Sequence, residues 1–170
     1  MNDQTGNQVR IADTRKTQQK GRPRLGEIGL ENFAPYLMNR VMGRYNASLR
    51  DEMARLGLTT PQMRALAVLS AIDGILIREL AVYAVVEQST LSRAIDALAR
   101  DGLIRRESDA ADSRATRVFL TAAGHKTNDR LWPHMSAFYE QMFVGVSRDD
   151  RRAFVGTLQM MLANIRKHDF

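Results

Sequence analysis

The reading of this chain turns on Leu80–Gly124, LAVYAVVEQSTLSRAIDALARDGLIRRESDAADSRATRVFLTAAG. A helix is predicted from Glu87 to Asp101, because Leu91, Ile95 and Leu98 recur at i, i+4 and i+7 and would form one buried stripe. The other face of its first turns carries Gln88, Ser89, Thr90, Ser92 and Arg93, and is poor in carboxylates after Glu87. Such a helix end suits a major groove: arginine reads guanine O6 and N7, glutamine pairs with adenine, and small hydroxyls allow close approach. An ordinary solvated helix face is the competing reading, and the segment C-terminal to the helix decides between them.

Gly102 ends the helix, and two strand-like runs, Leu103–Ser108 and Thr116–Leu120, flank the charged segment Asp109-Ala110-Ala111-Asp112-Ser113-Arg114. A helix-turn-helix followed at once by a hairpin with a charged tip is the winged arrangement, in which the wing can carry an arginine into the neighbouring minor groove. Between Glu87 and Arg117 six arginines face six acids, so the segment is neutral and binding must come from how its charges are segregated. Arg105 and Arg106 read as members of a solvated strand, and Arg117 as a phosphate candidate.

Working outward, apolar residues at Leu37, Val41, Tyr45, Leu49, Met53 and Leu56 predict one amphipathic helix from about Phe33 to Leu56, ended by Gly57. Leu58-Thr59-Thr60-Pro61-Gln62 reads as a helix start, followed by a buried face of Met63, Leu66 and Leu69. Ile75-Leu76-Ile77 reads as a brief strand leading into a helix from Arg78 to Ala84. After the hairpin, a helix from Thr121 to about Phe143 carries Pro133, which predicts a kink or break. Ser147 with Asp150 imitates a capping box for a last helix with the stripe Phe154, Leu158, Met161, Leu162 and Ile165. A winged domain covers one such apolar helix but not two, so a second copy of the chain is the expected partner, with a self-contained monomeric pack as the alternative.

The 170 residues, 44% hydrophobic, suffice for a folded domain, and a net charge of +6 leans toward polyanionic partners. No cysteine is present, which excludes disulfides, thiolate metal sites and thiol redox sensing. The polar, basic start lacks an apolar signal segment and no run approaches a membrane span, so a cytoplasmic location without membrane association is expected. Residues 1–30 read as a disordered basic tail. Within it, Lys20-Gly21-Arg22-Pro23-Arg24 is like the AT-hook core that lies along A/T minor grooves, although the nine residues from Arg24 to Phe33 span at most roughly 30 Å, and a solvated basic tail explains the composition equally simply.

Taken in order, Gly57-Leu58-Thr59, Leu80-Ala81, Ser89-Thr90-Leu91-Ser92-Arg93, Gly102-Leu103-Ile104-Arg105-Arg106, Asp112-Ser113-Arg114 and Leu120-Thr121-Ala122-Ala123-Gly124 resemble the MarR family of bacterial regulators over about Phe33–Ile165. The resemblance implies a mainly α fold with a small β-wing: a winged helix-turn-helix over about residues 58–120, with dimerisation helices over about 33–56 and 121–168. It also implies a homodimer that binds pseudo-palindromic double-stranded DNA, as a repressor released by a small ligand. Carried over residue by residue, Ser89, Thr90, Ser92 and Arg93 fall on base- and phosphate-contacting positions, Arg114 on the wing-tip arginine, and Asp112 on its brace. Two positions depart from the pattern. Val85 stands where the turn has glycine, and Glu87 where the N-cap is Ser or Thr; a β-branched residue disfavours positive φ, and Glu is a poor N-cap.

Six methionines, Met38, Met42, Met135, Met142, Met160 and Met161, lie in the terminal helices, where core filling is the plain reading. With Tyr36 and Trp132, Met38 and Met42 are also candidates to line a pocket for a small aromatic effector. Catalysis is not expected: His125, His134 and His168 form no zinc-type pair, no phosphate or dinucleotide fingerprint occurs, and no cofactor is implied. A winged domain used only for protein contacts is the third class, opposed by the polar start of the Glu87–Asp101 helix.

Overall fold

A computed structural model describes residues 23–167, so Lys20-Gly21-Arg22 of the tail motif and His168 lie outside the described residues. The chain divides into two units, residues 1–40 and 41–170. In the first, helical structure begins at Leu25 rather than near Phe33: α1 (Leu25–Ile28) and a 3-10 turn (Leu30–Asn32) lie within or against the stretch read as tail. The Arg24 amide donates to Glu27 Oε2 at 3.1 Å, which closes the turn at α1.

The stretch read as one helix from Phe33 to Leu56 is two, α2 (Ala34–Ser48) and α3 (Arg50–Arg55), separated by a turn at Leu49. Leu49 keeps near-helical torsions, φ −88° and ψ −6°. Its side chain and that of Met53 are buried and those of Tyr45 and Leu56 packed against the core, whereas Leu37 and Val41 are exposed. α4 (Thr60–Ala71) begins as the sequence predicts, with Gln62 Oε1 accepting from both the amide and the hydroxyl of Thr59 at 2.8 Å. α5 (Ile77–Tyr83) and α6 (Gln88–Arg100) complete the helix-turn-helix. Leu66 and Leu69 of α4, Leu80 of α5, and Leu91, Ile95 and Leu98 of α6 are fully buried in one core. Each contributes about 1.5–3 kcal/mol by leaving water.

Three helices end on the same backbone pattern. After α3, α5 and α6 the sixth residue's amide returns to the first residue's carbonyl: Leu58 to Met53 at 2.8 Å, Val86 to Ala81 at 3.1 Å and Leu103 to Leu98 at 2.9 Å. This closure needs a left-handed residue just past the helix, and Gly57 (φ +67°) and Gly102 (φ +70°) supply it without steric conflict. At the end of α5 the residue is Val85, at φ +51°, the one non-glycine with positive φ among the described residues. The conformation costs an L-residue about 1–2 kcal/mol.

β2 (Ile104–Ser108) and β3 (Thr116–Leu120) pair antiparallel from Ile104↔Leu120 to Ser108↔Thr116, and β1 (Ile75–Leu76) adds to the other edge of β3 with Ile75 opposite Val118. α7 (Ala122–Met142) follows directly, and the Leu120-Thr121-Ala122-Ala123-Gly124 motif makes the joint. The Thr121 hydroxyl accepts from the Gly124 amide at 3.1 Å and donates to the Gly102 carbonyl at 2.6 Å. The Thr121 amide donates to the Leu103 carbonyl at 3.1 Å. A Cβ on Gly124 would collide with that same carbonyl, so only glycine lets α7 approach the start of the wing this closely.

Pro133 does not break α7, which runs unbroken through it. α8 (Arg148–Ile165) starts at Ser147, whose Oγ accepts from the Asp150 amide at 3.1 Å as the sequence predicts. Arg151 joins the two helices: its guanidinium makes a two-point contact with Glu140 at 2.8 and 2.9 Å and lies 4.3 and 4.6 Å from the Tyr139 and Phe143 rings. Of the predicted α8 stripe, Leu158 and Met161 are half-buried, whereas Phe154, Leu162 and Ile165 are exposed.

Candidate nucleic-acid interface

The α6 stripe turns Leu91, Ala94, Ile95 and Leu98 inward, which leaves Gln88, Ser89, Thr90, Ser92 and Arg93 exposed on the opposite face. No carboxylate lies within the first turn. The helix starts at Gln88 with Glu87 at the N-cap, φ −55° and ψ 137°, and the Glu87 side chain makes no capping bond. Its carbonyl accepts from the Leu91 amide at 2.8 Å. The amides of the first turn therefore face outward without a side-chain partner, and they add partial positive charge at the helix end. Just before it, the carbonyl of Val85 accepts from Arg64 Nη1 at 3.1 Å. Arg78, Val82, Val85, Glu87 and Gln88 border an open groove of about 590 Å³ at this turn.

At the wing, Asp109 organises the tip. Its Oδ1 accepts from the amides of Ala111 and Asp112, both at 2.9 Å, its amide donates to the Ala115 carbonyl at 2.9 Å, and Oδ2 pairs with Arg117 Nε. The Arg117 bond and the two amides hold the Asp109 carboxyl below the usual carboxylate range. Asp112 meets Arg114 at the main chain: Oδ1 accepts from the Arg114 amide at 3.0 Å. The Arg114 side chain is left exposed at the tip and, like that of Arg93, makes no ion pair with any described residue.

Arg117, the phosphate candidate, is held by Asp109 and by the Gly74 carbonyl at 2.7 Å, tying β3 to the turn before β1, and its side chain stays 42% exposed. Arg105 and Arg106 are exposed on β2, as a solvated strand requires, and each has an acid: Arg105 pairs with Glu107 and lies 4.2 Å from the Phe119 ring centre, and Arg106 pairs with Asp96 on α6. The segregation that a neutral segment requires is thus visible. Arg105, Arg106 and Arg117 are matched internally, while Arg93, Arg100 and Arg114 keep their charge facing solvent.

Sequence reasoning missed Asp109, Asp73 and Arg64. The Asp-Ala-Ala-Asp run carries a turn signal that could have pointed to Asp109. Asp73, whose Oδ1 accepts from the Leu120 amide at 2.9 Å, and Arg64 act across 47 and 21 residues, and no local pattern announces either. Of the effector candidates, Met42 and Trp132 are exposed, and the Tyr36 hydroxyl accepts from Arg40 Nη1 at 2.9 Å. Among the described residues no three His, Asp or Glu are grouped to hold a metal ion, and no helix is long and apolar enough to cross a membrane.

These elements define a winged helix-turn-helix protein with additional terminal helices. A MarR family model matches residues 56–115. A solved MarR-family transcriptional regulator from Silicibacter pomeroyi is 60% identical, covers 87% of this chain and 100% of its own, and superposes with a TM-score of 0.83. The chain belongs to the MarR family of transcriptional regulators. It is also 24% identical to the transcriptional repressor IacR of Pseudomonas putida over 84% of this chain and 86% of that protein. It shares its fold with BpsR of Bordetella bronchiseptica, whose DNA binding is regulated by 6-hydroxynicotinic acid, at 24% identity, with a TM-score of 0.64 over 75% of this chain and 96% of that one.

Proposed function

We propose that this protein is a homodimeric, ligand-responsive repressor that binds a pseudo-palindromic operator in duplex DNA. One observation carries the reading. The exposed face of α6 and the wing tip present Gln88, Ser89, Thr90, Ser92, Arg93 and Arg114, with both arginines outside every ion pair of the described residues, while Arg105, Arg106 and Arg117 are each paired with an acid within the fold. In this reading α6 enters the major groove and Arg114 the adjacent minor groove. Asp112 and Arg117 keep the wing in shape and contribute through it rather than by touching DNA.

Two further features support the finer parts of the proposal. Leu37 and Val41 on α2 and Phe154, Leu162 and Ile165 on α8 are exposed apolar residues on long helices, the kind of surface a second copy covers. Two recognition helices related by a two-fold axis require half-sites about one helical turn, roughly 10 base pairs, apart or a multiple of that. The effector is proposed to be a small aromatic acid, by analogy with BpsR. Met42 and Trp132, both exposed, are its proposed contacts. Repression of this kind needs no catalytic group or cofactor, and DNA as the target implies a cytoplasmic site of action.

The test is to sequence genomic fragments retained by the purified protein at physiological salt, with and without hydroxylated aromatic acids. Recovery of an inverted repeat that is lost on adding one of the acids is the expected result. Retention of random fragments, or of none, contradicts the proposal.

A further inference from the structure

We propose that Arg64 is a positioning residue for DNA recognition: by bonding the carbonyl of Val85 it holds that residue left-handed and so fixes where α6 begins. The inference rests on the DNA-binding reading of α6 and the wing, and it goes beyond the groove-facing residues to the turn that aims them.

The anchor of α6 lies outside the helix. Its N-cap, Glu87, makes no side-chain capping bond, in contrast to Ser147 at α8 and Thr121 at α7, whose hydroxyls each accept an amide. The start of α6 is therefore not set by its own cap. It is set by the turn arriving from α5, where Val85 donates to the Val82 carbonyl at 3.1 Å and Val86 to the Ala81 carbonyl at 3.1 Å. The Val86 bond forms only while Val85 remains at φ +51°.

Nothing intrinsic to valine keeps it there. A β-branched residue is among the worst fitted to positive φ, and with 77% of its surface exposed Val85 gains little from packing. The equivalent positions after α3 and α6 are glycines. Arg64 supplies what Val85 lacks. From α4 it reaches 21 residues along the chain, and Nη1 donates to the Val85 carbonyl at 3.1 Å. The guanidinium thereby lies at the C-terminal end of α5, where a cation is favoured by the helix dipole. Arg64 makes no ion pair with any described residue, so no acid competes for it. α4, the scaffold helix of the motif, is in this way tied to the turn that aims the reading helix.

The experiment uses the full chain with Arg64→Ala, Val85→Gly and the double variant. Two properties are read: residue-resolved hydrogen exchange of the Val85, Val86 and Leu91 amides in the free protein, and affinity and its salt dependence on the duplex that the parent selects. Arg64→Ala is expected to speed exchange at these amides about tenfold and to weaken binding about tenfold with an unchanged salt slope. Val85→Gly alone should raise Tm by roughly 2–4 °C, because glycine adopts the turn without strain. The double variant should recover parental exchange and affinity to within about threefold, since a relaxed turn needs no latch. Unchanged exchange in Arg64→Ala overturns the proposal. So does a loss of affinity that Val85→Gly does not rescue and that comes with a salt slope lower by about one, because Arg64 would then be a phosphate contact. If the parent binds no duplex, the DNA-binding reading fails and the proposed role in recognition fails with it; the exchange data then still report whether the latch itself exists.

Discussion

Asp109 and Arg117 lock the wing tip to the sheet. The carboxylate of Asp109 takes Arg117 Nε on one oxygen and the amides of Ala111 and Asp112 on the other, while Arg117 extends its Nη1 to the Gly74 carbonyl. One residue pair thus connects the wing tip, β3 and the turn before β1. The hairpin is held as a rigid projection, and the tip arginine, Arg114, is left free to meet a partner.

The lock has a pH signature. A carboxyl held below its unfolded value stabilises the fold fully above the ordinary aspartate pKa of about 3.9, and that contribution is lost as pH falls through the lower, folded value. Asp109→Asn is therefore expected to be less stable than the parent at pH 6, with the gap closing below about pH 4. Urea unfolding of both proteins from pH 6 to pH 2.5 measures this. A gap that stays constant over that range would show that the ionised carboxylate is not what holds the wing.

Gly124→Ala tests the joint between wing and α7. The added methyl would meet the Leu103 carbonyl, which also accepts the Thr121 amide, so either that bond or the approach of α7 must yield. A loss of about 1–3 kcal/mol is expected, the usual range for overpacking a tight site. Gly43→Ala is the control, because a Cβ there meets nothing within 4 Å. Equal thermal midpoints for the two variants would contradict the account of the Leu-Thr-x-x-Gly motif.

Assembly is tested on α8. Leu162 and Ile165, 65% and 75% exposed in the single chain, should be covered in a dimer. The parent is expected to sediment as a dimer at micromolar concentration, and Leu162→Glu with Ile165→Glu to shift it toward monomer while leaving the helical circular dichroism intact. A parent that sediments as a monomer at that concentration defeats the two-fold model.

A change of Trp132 emission on adding an aromatic acid tests the effector assignment, since this is the chain's single tryptophan. Saturable quenching by a hydroxylated aromatic acid is expected, and it should weaken at least several-fold in Met42→Ala. Emission indifferent to every such acid would remove Trp132 from the proposed contacts.

Much of the fold was legible because it is written in local pattern. Leu91, Ile95 and Leu98 gave α6 its buried face, Thr59 with Gln62 and Ser147 with Asp150 marked helix starts, and Gly57 and Gly102 marked helix ends. The turn at Leu49 was not legible, because the apolar stripe runs on through it. Pro133 does not break α7, because the loss of one backbone bond is absorbed within a helix of 21 residues. At the interface, the exposure of Gln88 to Arg93 followed from the period of α6. The division between free and matched arginines did not, because the bonds of Arg117 to Gly74 and of Arg106 to Asp96 join residues that only the folded chain brings together. Val85 shows both sides: its unsuitability for the turn was evident from residue type, but the compensating Arg64 was not.

The central claim is that α6 and the wing read DNA through two arginines that differ in role. The most direct measurement is the affinity of the parent, Arg93→Ala and Arg114→Ala for a panel of duplexes substituted position by position, with circular dichroism confirming that each variant is folded. Arg93→Ala is expected to lose about 1–3 kcal/mol and to relax preference at one base pair in each half-site. Arg114→Ala should lose most on duplexes whose flanks are A/T-rich, where the narrow minor groove concentrates negative potential. Folded variants that bind every duplex as tightly as the parent would contradict the helix-and-wing mechanism.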